Sequence, residues 1–176
     1  MSMPSLEPHL VAARLVREAG GVLIGRTRLQ KVACLAKLAG LLDTFEFEYR
    51  HYGPFSEGLA TAMDTAAGLK FVEEQETQAV WGGWYSTYRA TDRTPPAEDA
   101  QRFQFVTEAA KIGAIQLELA ATAAFLHVKE GLDGPEAWAE TARRKPEKAQ
   151  DNRLEAAKVA YRQLRCLSTP TPLPAI

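Results

Sequence analysis

The sequence predicts an α+β fold that is mainly α. Three observations predict it. Up to Ala90 the apolar residues switch between a spacing of three and four and strict alternation, the periods of helix and strand. From about Glu98 onward the spacing is helical throughout. Between these stretches DRTPPAED, at 92–99, carries two prolines and reads as a linker. The expected organisation is an N-terminal half over 1–93, a helical half over 94–167 and a disordered or extended Pro-rich tail over 168–176, built as one compact unit.

Pro8 to Ala19 reads as the first helix, with Val11, Ala12, Leu15, Val16 and Ala19 as its apolar stripe, Pro8 in its first turn and Gly20-Gly21 as its stop. A short apolar link follows. Thr27 can cap a second helix to about Ala39, burying Leu29, Val32, Ala33, Ala36 and Ala39 and leaving Thr27, Gln30, Lys31, Cys34 and Lys37 on the other side. In FEFEYRHY, Phe45, Phe47 and Tyr49 alternate with Glu46, Glu48 and Arg50, the pattern of a half-buried strand broken by Gly53-Pro54. Ser56 offers a cap for a third helix with the stripe Leu59, Ala62, Met63 and Ala66, stopped by Gly68. Leu69–Glu74 and Trp84–Ala90 read as two strands around a Gly82-Gly83 turn.

That order is helix, helix, strand, helix, hairpin, which is winged-helix-like. Beyond the linker, Gln101–Val128 is apolar on two sides and reads as one long central helix. Pro135 starts a short helix through Trp138, and Asp151 starts another with Leu154, Ala157, Tyr161 and Leu164 facing inward. The ending STPTPLPAI carries alternating prolines, hence the expected tail.

The totals bound the function. The 176 residues carry 21 Lys+Arg against 22 Asp+Glu, a formal charge of −1, without the basic excess of a protein that coats phosphates. Cys34 and Cys166 lie far apart with no His or Cys at metal spacing, as expected for reduced thiols in a soluble cytoplasmic protein with no metal or cofactor. The N-terminus lacks a signal-peptide pattern, and no apolar run predicts a membrane span.

AGGVLIGRTRLQK, at 19–31, is one letter from a phosphate-binding loop. Such a loop follows a buried strand, whereas AARLVRE before it is helical in spacing, and Arg26 stands where the loop needs Lys. A joint between two helices explains the glycines. His9, His51 and His127 stand in separate elements, and no nucleophile elbow, metal set or carboxylate pair marks an active site. The expectation is a non-enzyme with no catalytic residues.

Two patches, GRTRLQKVACLAKLAG at 25–40 and FEYRHYGPFSEGLATAMD at 47–64, resemble the YwgA-like family of small bacterial and archaeal proteins. More distantly they resemble the Panacea or SocA-like antitoxin domain, in which a Leu-Gln-Lys helix start precedes an aromatic-Gly-Pro turn. The resemblance covers about residues 8 to 92. Its motif positions are Arg26, Thr27, Leu29, Gln30 and Lys31, then Tyr52, Gly53, Pro54, Phe55 and Ser56; Ala33-Cys34 departs from the aromatic that relatives commonly carry. The resemblance implies a winged-helix protein without catalytic residues, and for the Panacea relatives toxin neutralisation or a role as a proteolytic adaptor.

Two functions follow from this sequence. A winged helix invites double-stranded DNA, but the third helix offers Glu57, Thr61, Asp64 and Thr65, and no Lys or Arg occurs from His51 through Leu69. Nucleic-acid contact falls instead to Arg26, Arg28, Gln30 and Lys31, with Arg143, Arg144, Lys145 and Lys148 as a solvated basic face; the bland reading pairs Arg26 and Lys31 with Glu46, Glu48 or a helix-end carbonyl. The hairpin carries Trp81, Trp84, Tyr85, Tyr88 and Arg89, residue types that dominate protein interfaces. Alternation sends Trp84, Ser86 and Tyr88 to one side and Tyr85, Thr87 and Arg89 to the other, with the helical half as the alternative cover. The favoured expectation is a regulator that binds a protein partner, antitoxin-like, through the hairpin; the alternative is a DNA-binding transcriptional regulator. The long helix is compatible with a homodimer.

Overall fold

The computed structural model describes residues 5–176. Its first helices and strands are α1 (Pro8–Glu18), β1 (Val22–Ile24), α2 (Arg26–Leu38), β2 (Glu48–Arg50), β3 (Gly53–Phe55), α3 (Glu57–Gly68), β4 (Val72–Gln78) and β5 (Trp84–Ala90). The helical half supplies α4 (Ala100–Ala110), α5 (Ala114–Glu130), α6 (Gly134–Arg144) and α7 (Arg153–Arg165). The chain is thus a mixed α+β protein, mainly helical.

The apolar link after α1 is a strand. β1 pairs antiparallel with β5, Leu23 opposite Tyr88, and β5 pairs with β4, giving a three-stranded sheet in the order β1-β5-β4. Helices α1, α2 and α3 with this sheet make the winged-helix arrangement. Leu23, Val72 and Tyr88 turn one sheet face into the core, together with Leu15, Leu29, Leu59 and Met63 from the helices.

Between α2 and α3 stands a small hairpin, β2 with β3, whose register sets Tyr49 opposite Pro54. Phe45 and Phe47 are buried and Glu46 and Glu48 exposed, as alternation predicts, but only Glu48–Arg50 is paired. Gly53-Pro54 begins the return strand instead of ending the sheet. The expected strand at Leu69–Glu74 lies later in the chain, at Val72–Gln78.

The expected long helix is two. Its apolar spacing continues unbroken, yet α4 ends at Ala110 and Gly113 caps the start of α5. Every residue from Leu117 to Leu126 in α5 is buried, as a central helix must be when α2 covers one side and α6 and α7 the other. The helix at Pro135 runs well past Trp138, to Arg144. It opens on a capping box, with the Asp133 carboxylate accepting from the Glu136 amide at 2.9 Å. Leu154, Ala157, Tyr161 and Leu164 form the inner side of α7, which begins at Arg153.

Neither the linker nor the tail is loose. Arg17 donates to the carbonyls of Thr91, Thr94 and Pro95, and the Thr94 hydroxyl donates to that of Phe71. The tail carries no helix or strand, as its prolines dictate, but it is docked. Leu173 is 2% exposed, the Thr171 amide donates to Ala39, Tyr161 Oη to Pro174 and Arg165 Nε to Leu173. These contacts correct the expectation of disorder. Leu173→Ala should therefore destabilise the protein by about 2–4 kcal/mol in urea unfolding, as for a buried leucine elsewhere. An unchanged midpoint would mean that the tail does not contribute to the core.

Candidate functional site

The residues singled out at the start of α2 divide into two groups. Arg26 is exposed and held by the sheet: its guanidinium bonds Ser86 Oγ at 3.1 Å, Glu74 at 2.8 Å and Glu76 at 3.3 Å. Its bond to Glu74 raises its pKa above the usual range. The partners are Glu74 and Glu76, not Glu46 or Glu48. Arg28 takes the helix-end carbonyls, donating to Ala110 at 2.7 Å and to Ile112, where α4 ends in excess negative potential.

Gln30 and Lys31 are 4% and 1% exposed, so neither is placed to touch nucleic acid. They fall on the side of α2 that was expected to be open, and α5 closes it. The Gln30 side chain makes two bonds to one residue, Nε2 to Ser56 O at 3.0 Å and Oε1 from the Ser56 amide at 2.8 Å. Lys31 Nζ donates to Pro54 O at 2.7 Å. Ser56 then caps α3, its hydroxyl accepting from the Leu59 amide. Gly53 completes the joint. Its φ is +87°, and a Cβ there would fall 2.6 Å from Thr122 Oγ1 of α5. Among the motif positions, Gln30, Lys31, Gly53, Pro54 and Ser56 therefore form one structural latch joining α2, β3, α3 and α5, while Tyr52 stays exposed.

Behind the latch lies a buried ion cluster that sequence spacing did not reveal. Glu118 accepts from Lys145 at 2.8 Å and from Lys148 at 2.6 Å. Those lysines were expected on a solvated face, but the chain after α6 folds back onto α5. Arg143 and Arg144 stay outside, bonded to Glu140, whose carboxyl they hold down at about 2.

In front of the latch the surface opens into a cavity of about 280 Å³ between α2, α3, the β2–β3 turn and β5. Leu29, Tyr52, Phe55, Ala60, Met63 and Tyr88 line it, and the exposed Arg26 and Asp64 stand at its mouth. Tyr88, expected as a partner contact, is 2% exposed and belongs to the core. Burial, and the charge of Glu74 beside it, push its hydroxyl up to about 12.

The rest of the aromatic set is outside. Trp81 is 78% and Trp84 66% exposed; Val80, Tyr85 and Arg89 are exposed too. The helical half does not cover the hairpin. At its turn Ala79 and Gly83 close a hydrogen bond of 2.7 Å, and the Trp81 ring lies across Gly83, where a Cβ would fall 1.5 Å from it. Alternation places Trp84 on the sheet face of Ser86 and Tyr88, beyond the reach of α2 and α3, and Tyr85 on the open face with Val22 and Ile24. Helix α3 presents Glu57, Thr61, Asp64 and Thr65 to solvent.

Burial lowers the Lys31 pKa to about 8, with Glu118 opposing the shift. Below pH 8 both folded and unfolded chains hold this proton, and the fold carries the full cost of burying the charge. Between pH 8 and 10.5 the unfolded chain binds more protons at this site, so its contribution to stability rises with pH. Lys31→Met should remove that gain: wild type should improve relative to the variant by on the order of 1–3 kcal/mol between pH 7.5 and 10 in chemical unfolding. A pH-independent difference would show that the ammonium is not desolvated.

A scan against protein-family models finds no family that matches this chain, and a search of curated proteins finds no relative.

Proposed function

We propose that this chain is a non-catalytic regulatory protein that binds a protein partner through the β4–β5 hairpin, in an antitoxin-like role of toxin neutralisation or adaptor. The observation that carries the reading is the exposure of Val80, Trp81, Trp84 and Tyr85 on one short hairpin. Large aromatic side chains held in solvent on a hydrogen-bonded turn lose little entropy on binding and bury much area, the properties of interface hot spots. The resemblance of the Leu-Gln-Lys and Tyr-Gly-Pro positions to the YwgA-like and Panacea proteins supports the antitoxin part of the proposal.

The DNA reading draws less support. Of its four contact residues, Gln30 and Lys31 are buried, Arg28 is bonded to helix-end carbonyls and Arg26 is neutralised by two glutamates. The helix that would enter the groove is acidic, and counterion release would be forfeited. Two free thiols, with Cys34 buried and its pKa pushed up to about 12 by desolvation, suit a reducing, cytoplasmic setting. Among the described residues, no helix is long and apolar enough to cross a membrane.

The test is capture from the native host with nuclease-treated lysate, comparing wild type with Trp81→Ala and Trp84→Ala. Each variant should keep the wild-type melting temperature and lose about 1 kcal/mol or more of affinity for a stoichiometric protein partner. Unfolding of the variants would place the tryptophans in the core, and loss of all binding after nuclease would favour DNA.

A further inference from the structure

We propose that the cavity between α2, α3 and β5 receives one large apolar side chain from a basic segment of the protein partner. This deepens the protein-binding reading and rests on it. The size admits a single large side chain: about 280 Å³ stands at the small end of the roughly 300–1,000 Å³ of clefts that enclose drug-sized ligands.

The chemistry of the walls limits it further. Leu29, Phe55, Ala60 and Met63 are apolar, the Gln30 amide is bonded to Ser56, and the Lys31 ammonium donates to Pro54. Against the apolar walls a polar occupant would lose its hydration, a cost that an apolar one does not carry.

Charge around the mouth selects the flanks. Asp64 lines it, Arg26 in its lining is bonded to Glu74 and Glu76, and Arg50 is bonded to Glu48 and Glu57, which sets five carboxylates against three cations, Arg26, Arg50 and the buried Lys31. Arg50 lies over the Phe55 ring at 5.3 Å, which ties this acidic group to the cavity wall. On the opposite side Lys148 sits 5.2 Å from the Tyr52 ring, but its charge is directed to Glu118. The excess of carboxylates attracts Lys or Arg on either side of the inserted residue. Trp84 extends the same sheet face beyond Tyr88, so one partner segment running along β5 can fill the cavity and meet the hairpin.

The probes are labelled nonapeptide pools with Trp, Phe, Leu or Ala fixed at the centre and Lys or Glu fixed on both sides, read by fluorescence polarisation on the full chain. Lys-flanked pools centred on Trp, Phe or Leu should bind at least tenfold more tightly than the Ala-centred or Glu-flanked pools, and more weakly as salt rises. Ala60→Trp, which fills the cavity, and the exposed Asp64→Lys should each reduce that binding at least tenfold. The second variant keeps the test decisive if the first does not fold. Equal binding by all pools, no binding by any, or unchanged binding in Asp64→Lys overturns the proposal. So does concentration-dependent self-association that Ala60→Trp abolishes, because a second copy would then be the occupant. Capture that depends on Trp81 and Trp84 while no pool binds would reject the cavity alone; capture independent of both would reject the hairpin reading.

Discussion

A pair of hydrogen bonds between Gln30 and the backbone of Ser56 is the constraint on which the rest of this structure depends. The two bonds satisfy a buried amide that would otherwise cost about 1–3 kcal/mol for each group left unpaired. They also fix where α3 starts, because Ser56 is its cap. Lys31 binds the carbonyl two residues earlier, and Gly53 allows that turn to press against α5. One stretch of α2 thus sets the third helix, the small hairpin and the helical half relative to one another.

This arrangement separates architecture from recognition. In a winged helix that reads DNA, the α2–α3 joint is a short turn and the third helix is free to enter a groove. Here a hairpin occupies the joint, Gln30 and Lys31 of α2 face inward, and the exposed side of α3 is acidic. The buried motif positions Gln30, Lys31, Gly53 and Ser56 hold the scaffold, Leu29, Tyr52 and Phe55 help to line the apolar cavity, and the aromatic hairpin stands beyond both. The proposed partner, with apolar anchors and basic flanks, would engage both.

Elements whose pattern is local were legible in the sequence. The stripes of α1, α2, α3 and α7 and the pairing of β4 with β5 follow from apolar spacing and the glycine turn. What depends on distant chain was not. Val22–Ile24 is too short for any period to show, and becomes a strand only because β5 offers an edge. Gln30 and Lys31 look like surface residues until α5 covers them. The apolar spacing from α4 to α5 hides a break at Gly113, and the prolines of the tail predict its extension but not the site where Leu173 lands. For the hairpin, alternation assigned the sides but not the depth: Tyr88 lies where α2 and α3 cover the sheet, Trp84 where they do not.

Native-state hydrogen exchange at single-residue resolution tests the latch most directly. The amides of Ser56, bonded to Gln30, and Leu59, bonded to the cap, should exchange only with global unfolding, while those of the hairpin turn at 79–83 should exchange through local opening. Exchange at Ser56 and Leu59 as fast as in the hairpin turn would contradict it, because the joint between α2 and α3 would then open on its own.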